Sequence, residues 1–365
     1  MRILVTGGGT GGHIYPALAI VRALKQIDDN LEVLYIGTER GLEREIVERE
    51  GIPFKHIEVA GFRRSLSLEN VKTVVKFLRS LKIAKKYIKE FNPDVVVGTG
   101  GYVCGPIVFT AAMLKKPTLI HEQNSLPGVT NKFLAKFVDK VAICFEEART
   151  YFPEEKVVLT GNPRASEVAQ TLRIGKSALG LDPTKKTVLI SGGSRGAEPI
   201  NEAFISMIKA YEEAQYEVVF VTGATHFEAI KARITTGVDL PKNIHVLPFI
   251  NNMPQYLVSI DLFVGRSGAT FLSEITALGV PSILIPSPYV TENHQEFNAR
   301  SVTDHGGGVL ILEKELTGER LHSEINRILQ DSKLNKEMAK ISKQLGIPDA
   351  ASRVIKVLNE IIEKE

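Results

Sequence analysis

Two cysteines in 365 residues, Cys104 and Cys144, are too few for a disulfide framework or a thiolate metal cluster. Apolar runs are short as well. None approaches the roughly 18 to 20 consecutive residues that a membrane-spanning helix needs. No basic segment with a cleavable apolar stretch precedes the strand-like run Ile3-Leu4-Val5. Together these absences predict a reducing, cytoplasmic setting and no membrane crossing. Low-complexity and disorder-prone composition are also missing. What is present, 44% hydrophobic residues over this length, suffices for two α/β domains with separate cores.

The net charge of +3 is unevenly spread. Residues 1–163 hold 23 Lys and Arg against 18 Asp and Glu, and the remainder holds 22 against 24. Within the first part, residues 60–89 carry nine bases, among them Lys72, Lys76 and Arg79, and one acid, Glu69. Val71, Val74, Val75, Leu78 and Leu81 recur there at helical spacing, with Phe77 at the edge of the stripe. The expected helix is therefore apolar on one side and cationic on the other. Such a helix either packs on its own core with solvated bases, or rests on anionic lipid, where each base contributes about 1 kcal/mol. Nucleic acid is the weaker fit, because aromatics do not interleave the bases and no nucleic-acid motif accompanies them.

The densest local signal follows the first strand: Thr6-Gly7-Gly8-Gly9-Thr10-Gly11-Gly12-His13, leading into the helix-like run from Pro16 to Leu24. A loop so poor in side chains lets backbone N–H groups approach an anionic or sugar ligand, and the helix start adds partial positive charge. Its spacing Gly7-x-Gly9-x-x-Gly12 also fits a dinucleotide fingerprint, which calls for an acid at the end of the second strand. Gly37 and Thr38 stand there, with Glu39 the nearest acid. A dinucleotide site, a purely structural turn and a sugar or phosphate site all stay open. His13, whose ordinary pKa suits proton transfer near neutrality, is the loop's one large polar side chain.

Strands and helices alternate along the chain, the pattern of a doubly wound parallel sheet. Expected strands are 2–6, 31–36, 94–98, 117–120, 139–143 and 156–159, then 187–191, 216–222, 243–247, 261–264, 280–285 and 308–311. Two comparable series predict two domains, 1–163 and 164–348, meeting near Gly161-Asn162-Pro163-Arg164. Residues 349–365 form an amphipathic helix expected to pack back on the first domain. Further polar loops follow strands: Gly98-Thr99-Gly100-Gly101-Tyr102, His121-Glu122-Gln123-Asn124-Ser125, Gly192-Gly193-Ser194-Arg195-Gly196-Ala197, Gly265-Arg266-Ser267-Gly268-Ala269-Thr270 and Thr291-Glu292-Asn293-His294-Gln295. In sheets of this kind such loops line the ligand crevice.

With these motifs in this order across nearly the whole chain, the sequence resembles the MurG family of peptidoglycan N-acetylglucosaminyltransferases. The carrying elements are Gly7 to His13, Gly100-Gly101-Tyr102, His121-Glu122-Gln123-Asn124, Gly161-Asn162-Pro163, Gly192-Gly193-Ser194-x-Gly196-Ala197 and Arg266-Ser267-Gly268-Ala269-x-x-x-Ser273-Glu274. The resemblance implies a GT-B fold, two Rossmann-like domains facing across a cleft. It implies inverting transfer of GlcNAc from UDP-GlcNAc to the C4 hydroxyl of undecaprenyl-diphosphate-linked MurNAc-pentapeptide (lipid I), giving lipid II and UDP, at the cytoplasmic face of the membrane. Partners among cell-wall and division proteins would accompany that role.

Inverting transfer needs a base for the acceptor hydroxyl and stabilisation of the departing diphosphate. His13 is the leading base, with Glu122 as rival or orienting partner. Helix starts after Ser194 and after Gly268, with Arg164, could stabilise the diphosphate. No Asp-x-Asp pair occurs, which argues against a metal bridge and predicts no cofactor. By the resemblance, Arg164, Ser194, Ile250, Ala269, Thr270, Phe271, Leu272, Ser273 and Glu274 would hold UDP, and Gln295, Asn124, Thr10, Gly11 and Gly12 the GlcNAc. Gly100, Gly101 and Tyr102 would face the lipid-linked acceptor, and Lys72, Val75, Lys76, Leu78 and Arg79 an anionic membrane. Thr270 and Arg195 depart from the family's usual Leu and Gln. A UDP-sugar epimerase of similar fold and a non-catalytic sugar-nucleotide or lipid-binding subunit are the alternatives.

Overall fold

The computed structural model describes residues 1–39, 41–59, 68–193, 195–235 and 240–364, with the side chains of 68–75 and 235 outside that description. The chain forms two compact units, Met1–Arg164 with Asp349–Glu365, and Ala165–Pro348.

Unit 1 is built on seven parallel strands: β1 (Arg2–Thr6), β2 (Glu32–Gly37), β3 (Phe54–His56), β4 (Val95–Gly98), β5 (Thr118–Glu122), β6 (Lys140–Ile143) and β7 (Val157–Leu159). Their order is β3-β2-β1-β4-β5-β6-β7. The strands are apolar almost throughout because both faces are covered. Ile3, Val5 and Val97 pack with Ile14, Leu18 and Val21 of the helix Gly11–Lys25 and with Val354, Leu358 and Ile361 of the helix Ala350–Ile362. Leu4, Val96 and Ile120 face the other layer, where Ala84 and Ile88 of the helix Leu68–Phe91 meet Ile107 and Val108 of the helix Cys104–Met113. The C-terminal helix thus returns to unit 1.

Unit 2 repeats the plan with β8 (Lys186–Ser191), β9 (Tyr216–Val221), β10 (Ile244–Leu247), β11 (Leu262–Gly265), β12 (Ser282–Leu284) and β13 (Gly308–Leu310), in the order β10-β9-β8-β11-β12-β13. In each sheet the winding reverses between the first strand and the strand that follows its two outer neighbours. That switch lies between β1 and β4 in unit 1 and between β8 and β11 in unit 2. The carboxyl ends of the strands there open onto a crevice. The loops singled out by sequence leave these four strands, β5 and β12.

β3 is not among the expected strands, because its residues, Phe54 and Lys55 half-buried and His56 exposed, form an edge strand too short to carry a period. On the helix Leu68–Phe91, Leu78 is 55% exposed, so of the two readings of the apolar stripe, packing on the core does not hold for it. Ser80, Ala84 and Ile88 are the fully buried positions instead, with Phe77 approaching Gly105 of the neighbouring helix. Small residues at 80 and 84 allow that close helix contact and move the seam by about a quarter turn. Leu78 then shares the outer surface with Lys82 and Lys85. The side chains of Val71, Lys72, Val74 and Val75 lie outside the described residues.

Candidate active site

The loop after β1 is held from several sides. Tyr35, fully buried on β2, donates its hydroxyl to Gly7 O at 2.7 Å. Gly8 N donates to Gly100 O at 3.2 Å. Thr99 Oγ1 donates to His13 O at 2.8 Å. The Cys104 thiol donates to Thr6 O and Gly100 O at 3.1 and 3.0 Å, and burial pushes its pKa up to about 12. That thiol is a structural tie. Tyr35 reads in the sequence as ordinary core, and neither the loop position of Thr99 nor the scarcity of cysteine announces the ties that Thr99 and Cys104 make.

Two glycines are required by close approach as well as by backbone. Gly100 and Gly101 have φ of +115° and +86°. A Cβ on Gly101 would lie 2.4 Å from Gly8 O, and one on Gly100 would lie 2.8 Å from the His13 ring. His13 itself is half-buried, and its Nδ1 lies 2.8 Å from Gly8 O. A carbonyl cannot donate, so this contact assigns a proton to Nδ1, and in the neutral ring Nε2 is then the nitrogen with the free lone pair. Thr10, Gly11 and Gly12 form the helix entrance beside it, with Thr10 and Gly12 exposed. Tyr102, 62% exposed, follows Gly101.

The dinucleotide reading fails on a residue that sequence reasoning passed over. Glu43, with no exposure, fills the space by the end of β2. Its Oε1 accepts from Thr38 N at 2.8 Å and its Oε2 from Gly9 N at 3.3 Å. A Cβ on Gly8, Gly37 or Gly41 would collide with it. Glu39, the nearest acid in sequence, is exposed. The place a ribose would take is occupied by a protein carboxylate.

Glu122, 2% exposed, is likewise spent inside the fold. It accepts from Asn124 N and Nδ2, Gly128 N and Asn131 Nδ2 at 2.9 to 3.2 Å. His13 is not among these partners. The carboxylate orders residues 124–131 and has no lone pair left for an acceptor proton. His121, fully buried, bonds Gly161 O through Nε2 at 3.0 Å, and desolvation lowers its pKa to about 4. It ties the end of β5 to Gly161. Arg164 lies over the Tyr15 ring, 5.9 Å from its centroid.

In unit 2, Gly193 and Gly196 take φ of +92° and +77° after β8. Gly196 backs onto Thr222 O, and Gly223, at φ +85°, backs onto Arg195, so two loops pack backbone to backbone. The helix Glu198–Ser206 starts directly beyond. Ser194 lies outside the described residues. After β11, Arg266 pairs with Glu313 and donates to Ile285 O, while the Ser267 hydroxyl donates to Gln295 O at 2.7 Å. Gly268 is the extended N-cap of the helix Ala269–Leu278. The first-turn N–H groups of such a helix have no intrahelical carbonyl to bond. Ala269, Thr270 and Phe271 open that turn; the Phe271 ring lies against Phe263. Leu272 does not fit the expected ligand role: its side chain is fully buried and its N–H donates to Gly268 O at 3.0 Å. Ser273 Oγ donates to Ala269 O, and Glu274 is 4% exposed. Gln295 is half-buried and accepts from Ser287 N at 2.9 Å; the Ile250 side chain is buried.

Comparison with known proteins spans both units. Residues 3–143 match the glycosyltransferase family 28 N-terminal domain, and residues 187–354 the glycosyltransferase family 28 C-terminal domain. A Bacillus licheniformis protein named UDP-N-acetylglucosamine--N-acetylmuramyl-(pentapeptide) pyrophosphoryl-undecaprenol N-acetylglucosamine transferase is 59% identical over 363 residues, 99% of each chain. The crystal structure of Acinetobacter baumannii MurG has a TM-score of 0.78 at 29% identity, over 98% of this chain and 99% of that one. A UDP-GlcNAc 2-epimerase from Neisseria meningitidis has a TM-score of 0.71 at 16% identity, over 99% of this chain and 100% of that one. At that identity the likeness extends to the fold alone.

Proposed function

The chain belongs to glycosyltransferase family 28, and from that premise we infer that it transfers GlcNAc from UDP-GlcNAc to undecaprenyl-pyrophosphoryl-MurNAc-pentapeptide in peptidoglycan synthesis. The observation that carries this is the 59% identity to the named transferase over 99% of both chains. An epimerase shares the fold, but at 16% identity.

Unit 1 takes the acceptor and unit 2 the donor. His13 Nε2 removes the proton from the acceptor C4 hydroxyl as its oxygen attacks the anomeric carbon from the face opposite UDP. Inversion follows from that single displacement. Negative charge then grows on the diphosphate, where the helix starts at Glu198 and Ala269 and the Arg164 guanidinium stabilise it. Glu274 accepts ribose hydroxyls, and Gln295 and Asn124 orient the sugar. Glu122 acts as a positioning group for its loop and not as the base, because its oxygens already hold four internal donors. UDP release from purified protein is expected only when a lipid I analogue is added. Release or sugar interconversion with donor alone would favour the epimerase.

The exposed bases Lys76, Arg79, Lys82 and Lys85 with exposed Leu78 make a surface that suits anionic lipid headgroups at the cytoplasmic face. No helix among the described residues is long and apolar enough to cross a membrane. Replacing Lys72, Lys76 and Arg79 with Glu should weaken binding to anionic vesicles, measured by sedimentation, and spare turnover of a soluble acceptor. Unchanged vesicle binding would remove this surface from the account.

A further inference from the structure

Glu43 opens the helix Leu42–Arg49, whose other charged residues Arg44, Glu45, Glu48 and Arg49 pair with one another on the outside. Glu43 alone of these turns inward and loses all contact with solvent. Among the described residues no cation pairs with it. Its partners are neutral donors: the Thr38 N–H and hydroxyl at 2.8 and 2.5 Å on Oε1, and the Gly9 N–H at 3.3 Å on Oε2. A buried carboxylate without a counter-cation is costly, and its own helix start offsets only part of that.

The peptide it grips leads to His13. The N–H of Gly9 and the C=O of Gly8 belong to one peptide unit. Its N–H points to Glu43, and its C=O accepts from His13 Nδ1 at 2.8 Å. We propose that Glu43 is a positioning residue for His13: acting through the Gly8–Gly9 peptide, its carboxylate holds the imidazole in the Nδ1–H tautomer and keeps the unprotonated Nε2 aimed at the acceptor hydroxyl. The proposal rests on His13 being the base.

The peptide stands where a carboxylate would touch imidazole directly in a simple carboxylate–histidine pair. Charge on Oε2 polarises the N–H and makes Gly8 O a stronger acceptor. The flanks of this peptide are pinned, by Tyr35 on Gly7 and by the Gly8 N–H on Gly100. Gly9 is the pliable joint, with φ of +85° and open space where a Cβ would sit. Once Glu43 releases the N–H, this peptide can rotate and withdraw the carbonyl from His13.

The test uses the full chain. ¹⁵N NMR of the neutral His13 imidazole should show the proton on Nδ1 in the unsubstituted protein; a proton on Nε2 would overturn the proposal even if no variant folds. Glu43→Gln keeps the length and an oxygen for Thr38 but turns an amide N–H toward Gly9. Its Nε2–H tautomer should grow, and kcat should fall by about 10- to 100-fold with KM for UDP-GlcNAc within about twofold. On a His13→Ala background the same change should cost nothing more. Unchanged kcat and tautomer in a folded Glu43→Gln protein, or an equal loss on both backgrounds, would overturn the Glu43 assignment alone. Full turnover by His13→Ala would overturn the base reading beneath it.

Discussion

Replacing His13 with alanine is expected to lower turnover by about 10²- to 10⁴-fold while leaving UDP binding nearly unchanged. The size follows from general-base catalysis, since without a base the acceptor hydroxyl must attack with its proton in place or lose it to water. The selectivity follows from location. His13 lies on the helix after β1, whereas the loops assigned to UDP follow β8 and β11 in the other unit. Fold stability should hold, because His13 is half-buried and its ring makes one strong bond, to Gly8 O. Single-turnover transfer and calorimetric titration with UDP check the two halves separately. Full activity excludes His13 as base; a parallel loss of UDP affinity reassigns it to donor binding.

Gly101→Ala should be nearly as damaging, although it removes no functional group. A side chain at φ +86° costs about 1 to 2 kcal/mol by itself. The new methyl would also lie 2.4 Å from Gly8 O, which can give way only by turning the Gly8–Gly9 peptide that Glu43 and His13 hold. Gly8 O is the acceptor for His13 Nδ1, so the displacement reaches the His13 ring, the proposed base. A misplacement of about 1 Å at reacting groups costs on the order of 10²-fold, and that is the expected fall in kcat. Gly51→Ala provides the contrast: φ is +66°, with nothing within 4 Å of the added methyl. It should lower stability by about 1 kcal/mol and leave turnover alone. Thermal melts and kcat of both variants separate strain from collision, and equal turnover in the two would contradict the argument.

What could be read in the sequence depended on periodicity and punctuation. Val95-Val96-Val97 and Thr187-Val188-Leu189-Ile190-Ser191 are continuous apolar runs ending in glycine loops, so both the strands and the crevices at their ends were legible. Phe54-Lys55-His56 has no such run and gives no strand signal. Helical spacing groups Leu78 with Val71, Val74, Val75 and Leu81 and does not reveal that Ser80 and Ala84 make the closer contact. Glu43 escaped notice for a related reason. Within Leu42-Glu43-Arg44-Glu45 it looks like one charge on a solvated face, and only the fold shows it buried beneath glycines that leave it room. The signal that could have found it was the missing ribose acid at Gly37 and Thr38, which left a crevice to be filled. Glu122 is legible as a loop acid, but its four donors come from three residues, Asn124, Gly128 and Asn131, in an arrangement that no spacing announces.

The most direct measurement is the fate of isotopically labelled GlcNAc when the purified chain is given UDP-GlcNAc and a lipid I analogue. Label is expected in the lipid-linked product, β-linked at the muramyl C4 oxygen, in amounts equal to the UDP released, with neither formed when acceptor is withheld. Label that stays on the nucleotide as an isomerised sugar, or UDP released at the same rate without acceptor, would contradict the proposed transfer.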